Sequence, residues 1–308
     1  MRYFVEPDNP INLDFTLDSG QAFRWRKEGE IWEGIVRQKV CKLRQEGRMI
    51  TFTGFTMEEF LEYFGLNLKM KEVVETSFGA PEVSHLPTAY KGLRILNQEL
   101  YECLFSFLLA TNTNIKRIKA MVEKICLTYG EKIEVAGRIY FGFPTPEKFL
   151  QCSEKIKNCS LGFRDSRILE LAEKIVDGKI NLERIATLDY TSARNALLEI
   201  KGVGPKVADC VCLFSLKHYM AFPIDVHISS WFRKQNYMEL ESVNAALNQK
   251  KMSDKIYRIL SDFARKRFGI FAGYVQQYIF LNEIFQNARG KSPRSTIKPA
   301  ITNAAWNP

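Results

Sequence analysis

Histidine is scarce in this chain of 308 residues: three copies, at positions 85, 218 and 227. They are too few and too scattered for a zinc site. No apolar run reaches the length of a membrane span, and the opening MRYFVEPDNP does not read as a signal peptide. The seven cysteines, at 41, 103, 126, 152, 159, 210 and 212, are odd in number and include no C-x-x-C pair. That spacing argues against a disulfide framework. Several of them fall inside apolar runs, which suits free buried thiols in a reducing compartment. Acidic residues are also in deficit, 35 Asp and Glu against 44 Lys and Arg, for a net charge of +9. A basic surplus of this size suits a polyanionic partner, most often nucleic acid. The plainer reading is a solubilising charge, and composition leaves both open.

What remains is an ordinary globular composition, 46% hydrophobic and 26% charged, with 12% aromatic residues. The first fifty-odd residues read as strands: FRWRKE, EIWEGIVR, KVCKLRQ and MITFTG are short, aromatic or β-branched, and separated by turns containing Gly or Glu. They predict an antiparallel sheet covered on one face by a helix, TMEEFLEYFGL, with Thr56 and Glu59 spaced as a capping box. Helical periodicity takes over from about residue 90. LYECLFSFLLA (100–110) is apolar nearly all round and predicts a central buried helix. NIKRIKAMVEKICLTYG places Ile115, Ile118, Met121, Val122 and Ile125 on one face. Thr145 and Pro146 open a further helix as N-cap and first residue, and SRILELAEKIVDG stops at Gly178. The expected architecture is α+β: an antiparallel sheet domain over residues 1–95, an all-helical domain over 96–289, and a basic, mobile tail over 290–308.

The segment IKGVGPKVADCV carries the chemistry. Helix, KGVGPK, helix is a helix–hairpin–helix. Gly202 and Gly204 permit backbone angles that a side chain forbids, and they expose amides beside a helix N-terminus, an anion site suited to a DNA phosphate. Lys206 sits at the positive end of that helix, which disfavours its charged form; burial would add to this, and an uncharged lysine amine is a nucleophile. Nineteen positions on, inside FPIDVH, stands Asp225, near enough for the chain to return it past Lys206. Such a pair suits attack on an electrophilic sugar carbon. Two plainer readings compete: Lys206 pairs with Asp209 on its own helix face, and Asp225 only caps the helix VHISSWF.

With the hairpin, its lysine and PIDVH in place, the chain resembles the HhH-GPD superfamily of DNA glycosylases. Within it, the chain resembles the 8-oxoguanine DNA glycosylase/AP lyases. LDSGQAFRWR, LRILNQELYECLFSFLLATNTNIKRI, LGFRDSR, KGVGPKVADCVCLFSL, PIDVH and AGYVQQYIF match family blocks in family order, from about Asp14 to Ile284.

The resemblance implies a TBP-like sheet domain before the helix–hairpin–helix domain. It also implies an enzyme that flips out 8-oxoguanine, preferably opposite cytosine, excises it through a lysine Schiff base and then cuts the strand by β-elimination. On this reading Lys206 is the nucleophile and Asp225 stabilises charge on the sugar. Gly20 offers a carbonyl to the lesion's N7 proton, and Cys210 sits beside the lysine, forming a charged pair with it against the flipped base. Gln276 reads the Watson–Crick edge, Phe280 stacks on the base, and Glu283 stands where an aspartate is usual. Asn112 fills the hole in the duplex, Arg117 and Arg164 grip the orphaned cytosine, and Phe163 replaces a tyrosine wedge. Thr113 departs from the family's run of asparagines. His227 reaches a phosphate, and the carbonyls of Leu198, Ile200 and Val203 hold a structural cation. No cysteine follows Cys212, which excludes the branch carrying a four-cysteine iron–sulfur cluster, so no such cofactor is expected. The expected partner is double-stranded DNA containing oxidised guanine, met by a monomer without a membrane, in the cytoplasm or nucleoid of a prokaryote or the nucleus of a eukaryote. The alternatives are a non-catalytic helix–hairpin–helix DNA-binding module and a glycosylase for another damaged purine.

Overall fold

A computed structural model describes residues 1–235, 237, 241–247 and 252–289. Five strands, β1 (Arg2–Phe4), β2 (Arg26–Glu28), β3 (Ile31–Val36), β4 (Lys39–Glu46) and β5 (Met49–Thr53), form an antiparallel sheet in the order β1-β5-β4-β3-β2. The expected strands are present, except that FRWRKE contributes only its last three residues; Phe23 and Trp25 are buried ahead of β2. β1 was not foreseen. Three residues are too short to show alternation, and Arg2–Phe4 becomes a strand only because β5 offers it an edge. β3 turns into β4 through Arg37 and Gln38, both left-handed (φ 47° and 63°), the tight hairpin geometry that matches strand twist. The Gln38 amide then donates to the Phe143 carbonyl at 2.7 Å and ties this turn to the rest of the molecule.

After a short helix α1 (Leu13–Leu17), α2 (Met57–Tyr63) covers one face of the sheet. Its capping box is formed as predicted: the Glu59 amide donates to the Thr56 hydroxyl (3.1 Å), and the Thr56 amide donates to the Glu59 carboxylate (2.8 Å). Phe60 stacks on Phe52 with ring centroids 4.3 Å apart, at the centre of a core shared with Trp25, Leu43, Ile50 and Phe64.

The larger core is helical. It is built on α3 (Met70–Ser77), α4 (Leu86–Ala89), α5 (Leu100–Leu109), α6 (Ile115–Tyr129), α7 (Pro146–Gln151), α8 (Asp165–Val176), α9 (Leu182–Ala186), α10 (Tyr190–Leu198), α11 (Pro205–Phe214), α12 (Val226–Lys234), α13 (Glu241–Leu247), α14 (Asp254–Phe268) and α15 (Ala272–Arg289). Every residue of α5 from Cys103 to Leu109 is buried, as its all-round apolarity predicts. On α6, Ile118, Met121, Val122 and Ile125 face inward and Ile115 is half-buried. The expectation of an all-helical second part is corrected by a hairpin, β6 (Lys132–Val135) and β7 (Arg138–Phe141). Its turn, Ala136–Gly137, is left-handed at both residues (φ 49° and 73°). Four-residue strands carry too little pattern to be seen alone; tertiary contacts hold them, the Tyr140 hydroxyl donating to Glu33 at 3.0 Å and Arg24 donating to the Phe141 carbonyl. The expected tail, 290–308, lies outside the described residues.

Sheet and helices are joined through a buried cation. Arg94 is fully buried, and its guanidinium donates to the Pro10 carbonyl (2.8 Å), the Leu68 carbonyl (3.0 Å) and Asn9 Oδ1 (2.6 Å). Carbonyl and amide oxygens stand in for a carboxylate, and the hydrogen bonds offset the desolvation that holds this guanidinium below its ordinary range.

Candidate active site

A cleft of about 1280 Å³ runs between the hairpin, the N-terminus of α6, the first turn of α12 and the face of α15. Of the residues singled out from sequence, Gly20, Asn112, Gly202, Val203, Gly204, Lys206, Cys210, Asp225, His227, Gln276 and Phe280 line it.

The hairpin's glycines differ in their reasons. Gly202 is left-handed (φ 89°), and a Cβ there would lie 2.7 Å from Arg167 Cδ. Gly204 caps α11 without a side chain, and a Cβ on it would meet nothing within 4 Å. Gly204, Pro205, Lys206 and Val207 line the cleft, so the first turn of α11 opens onto it, the arrangement that favours an anion. Behind them, the Ile200 carbonyl accepts the Val203 amide at 2.9 Å. Among the described residues no cluster of three His, Cys, Asp or Glu side chains is placed to hold a metal, so a cation at Leu198, Ile200 and Val203 would rest on carbonyl oxygens alone.

Lys206 is half-buried, with Nζ 5.4 Å from the centroid of the Phe107 ring. The reading that pairs it with Asp209 fails. Asp209 is fully buried and accepts from the Tyr190 hydroxyl (2.8 Å), Arg194 Nε (2.8 Å) and the Tyr257 hydroxyl (2.6 Å). Among the described residues, Lys206 has no carboxylate partner. A cation without a counter-charge, set against an aromatic ring in a cleft, is free to meet something brought from outside. One turn on, burial pushes the Cys210 thiol up to about 12, with Lys206 opposing and Asp209 and Asp225 reinforcing the shift. Burial thus works against the charged pair that the resemblance implies for this thiol, and the neighbouring lysine works for it.

Asp225 does cap α12: one oxygen, Oδ1, accepts the amides of His227 and Ile228, both at 2.9 Å. Oδ2 has no hydrogen bond among the described residues, and Asp225 lines the cleft, so capping occupies only one of its two oxygens. His227 stands edge-on to Phe280, ring centroids 5.5 Å apart.

Gly20 is left-handed (φ 73°), and a Cβ there would lie 2.9 Å from Ile115 Cδ1 and 3.3 Å from Phe280 Cε1. Its turn is fixed from behind. Gln277 donates to the Ser19 carbonyl (2.8 Å), Gln98 donates to the Gln21 carbonyl (2.8 Å), and Gln21 donates to the Arg94 carbonyl (2.8 Å) while accepting the Leu96 amide (2.9 Å). Gln276 is 4% exposed, and its Oε1 has no hydrogen-bond partner among the described residues. A buried amide oxygen left unpaired costs on the order of 1–3 kcal/mol, a cost that a ligand donor would relieve.

Asn112 apart, the residues predicted to grip the opposite strand, Arg117, Phe163 and Arg164, do not line the cleft. Asn112 is exposed and left-handed (φ 52°), a conformation asparagine tolerates better than most residues. Phe163 is 54% exposed on a short 3₁₀ turn, Gly162–Arg164. Arg117 is exposed, but Arg164, which would be read from sequence as a surface charge, is buried: its guanidinium donates to the carbonyls of Leu161 and Thr111 and lies 4.2 Å from the Phe163 centroid. Burial first, then Arg117 and Arg167, hold it below its ordinary range. Glu283 does not line the cleft; it is buried and paired with Lys234 at 2.7 Å. The sequence reading missed Phe107, Gln277 and the Asp209 network. Only the last left a signal, a carboxylate inside the apolar run VADCVCLF.

A family model described as "8-oxoguanine DNA glycosylase, N-terminal domain" matches residues 4–104. The N-glycosylase/DNA lyase of Saccharomyces cerevisiae is 29% identical, over 94% of this chain and 87% of its own. The 8-oxoguanine glycosylase/lyase of Clostridium acetobutylicum, solved with double-stranded DNA containing cytosine opposite 8-oxoG, is 30% identical and superposes with a TM-score of 0.81 over 93% of this chain and 98% of that one. Its apo form is 31% identical, with a TM-score of 0.78 over 88% and 92% of the two chains.

Proposed function

The chain belongs to the 8-oxoguanine DNA glycosylase/lyase family, and from that premise we propose that it excises 8-oxoguanine from duplex DNA, preferably opposite cytosine, through a Schiff base on Lys206. The lesion lies inside the stack and must be extruded before its sugar can be reached. In the cleft Gln276 would pair with its Watson–Crick edge, Phe280 would stack on its face, and the Gly20 carbonyl would accept the proton that 8-oxoguanine carries on N7 and guanine lacks.

Lys206 Nζ, after losing a proton, donates its pair to C1′ as the bond from C1′ to the base breaks, and the base leaves with those electrons and takes up a proton. Asp225 Oδ2 offsets the positive charge that builds on the sugar. Ring opening at C1′ gives an iminium ion, loss of a C2′ proton expels the 3′ phosphate, and water releases the lysine. Arg117, which is exposed, would hold the orphaned cytosine through its acceptors, Arg164, buried on the carbonyls of Leu161 and Thr111, would hold the adjoining turn in place, and Asn112 would occupy the space left by the lesion. The hairpin amides would anchor the strand by its phosphates.

The observation that carries this reading is Lys206: a half-buried lysine with no carboxylate partner among the described residues, in a cleft it shares with Asp225 and the unpaired Gln276. Borohydride reduction during reaction with an 8-oxoguanine–cytosine duplex should give a covalent protein–DNA adduct. Lys206→Gln should retain lesion binding and lose the adduct. An adduct that persists in the variant assigns the nucleophile elsewhere. Excision rates opposite each of the four bases test the cytosine preference, which should fall in Arg117→Ala.

A further inference from the structure

Phe163 is an unusual side chain to leave in solvent, and its surroundings explain how it is held. It stands on a 3₁₀ turn with its ring 54% exposed. Two guanidinium groups lie against that ring, Arg164 at 4.2 Å and Arg167 at 5.0 Å from the centroid. They are not equivalent. Arg164 is buried and committed to the carbonyls of Leu161 and Thr111. Arg167 is half-buried, lines the cleft, and has no carboxylate partner among the described residues. The carboxylate one turn on along α8, Glu170, is engaged by Lys174 (3.0 Å) and Lys201 (2.7 Å).

The stem of Arg167 is placed as specifically as its head. Cδ lies 2.7 Å, and Nε 3.2 Å, from where a Cβ on Gly202 would be. The arginine therefore occupies the space above the hairpin glycine, so Gly202 serves packing as well as its own left-handed conformation. One side chain spans the gap from the DNA-anchoring hairpin to the exposed ring.

We propose that Arg167 is a positioning residue that braces Phe163 against the hairpin, so that the ring enters the base stack in one orientation when the hairpin engages the backbone. This rests on the glycosylase reading above and adds to it. An exposed phenylalanine alone would lose rotamer freedom on insertion and yield sideways. A guanidinium stacked on it and anchored at its stem restricts it beforehand.

The brace matters only when bases must be unstacked, and the test follows from that. Single-turnover excision is measured for wild type, Arg167→Met, Arg167→Lys, Phe163→Ala and the Phe163→Ala/Arg167→Met double variant. One substrate has the lesion paired with cytosine; in the other it lies in a short mismatched bubble, where extrusion costs less. Arg167→Met keeps the stem and loses the planar cation. It should lose about tenfold on the paired duplex and less than about threefold in the bubble. Arg167→Lys should recover little, because an ammonium does not stack as a guanidinium does. In the Phe163→Ala background the Met substitution should add nothing. A 2-aminopurine beside the lesion, which reports unstacking without chemistry, should brighten less with Arg167→Met than with wild type. Equal losses on both substrates, additivity with Phe163→Ala, or an unaltered 2-aminopurine signal would overturn the brace. A wild-type protein that unstacks the duplex and excises nothing would overturn the glycosylase reading and leave the brace standing.

Discussion

The Tyr257 hydroxyl donates to Asp209 Oδ2 at 2.6 Å and accepts the Ile224 amide at 3.3 Å. Asp209 is three residues after Lys206 on α11, and Ile224 immediately precedes Asp225. One phenol on α14 thus joins the helix that carries the amine to the segment that carries the carboxylate. Burial, then the Asp209 carboxylate, pushes this phenol well above its ordinary range, so it remains a donor at any working pH.

Tyr257→Phe should therefore affect both stability and turnover. It strands a buried carboxylate oxygen and a buried amide, for a loss of about 1–3 kcal/mol in denaturant unfolding. The excision rate should fall more than lesion affinity, because the two groups proposed to be catalytic, Lys206 and Asp225, lose their common tether. An unaltered unfolding midpoint would show that the remaining partners, Tyr190 and Arg194, satisfy Asp209 without it.

Gly20→Ala combines backbone strain with a steric block. At φ 73° alanine is disfavoured by about 1 kcal/mol, and its methyl would press on Ile115 and Phe280, the ring proposed to stack on the base. Excision should fall by at least about tenfold, with a much smaller loss in affinity for undamaged duplex. Excision kinetics beside fluorescence anisotropy separate the two effects.

Gln276→Met should trade function for stability. The variant removes an unpaired buried amide oxygen and keeps the side-chain volume, which should raise stability by about 1 kcal/mol. It also removes the group proposed to read the base edge, so excision should drop. A thermal melt and a single-turnover assay on the same preparation check both directions.

Glu102 supplies a pH dependence. Burial, chiefly, raises its carboxyl from 4.5 to about 7, against the pull of Arg24, whose Nη1 is 3.6 Å away. The folded state then holds this proton more tightly than the unfolded chain. The stability it favours is complete below about pH 4.5 and is lost as pH rises towards about 7. Between pH 5 and pH 8 the unfolding free energy of Glu102→Gln should gain on that of wild type by up to about 3 kcal/mol, whatever the offset at pH 5. A difference that stays level with pH would mean that the Arg24 pairing keeps the group ionised throughout.

Much of this molecule is written locally. The Thr56–Glu59 capping box, the buried all-round apolarity of α5, the hairpin at Gly202 and Gly204, and Asp225 as an N-cap all depend on residues within four positions of one another. A chain records such relations in its own order. Lys206 and Asp225 could be paired as candidates for the same reason, since a single helix and its return separate them.

Tertiary structure decided the rest. β1 exists because β5 presents an edge, and β6–β7 holds its place through Glu33 and Arg24. Glu283 is withdrawn from the cleft by Lys234 on another helix, and Asp209 by two tyrosines and an arginine from α10 and α14. Gly20 meets Phe280 across nearly the whole length of the chain. Whether a charge faces solvent, a partner or a ligand depends on which surfaces the global packing brings against it, and no local spacing encodes that. The sequence by itself determined which chemical groups the protein possesses and where its longer helices run; the packed chain decided that, among the described residues, Lys206 has no carboxylate partner.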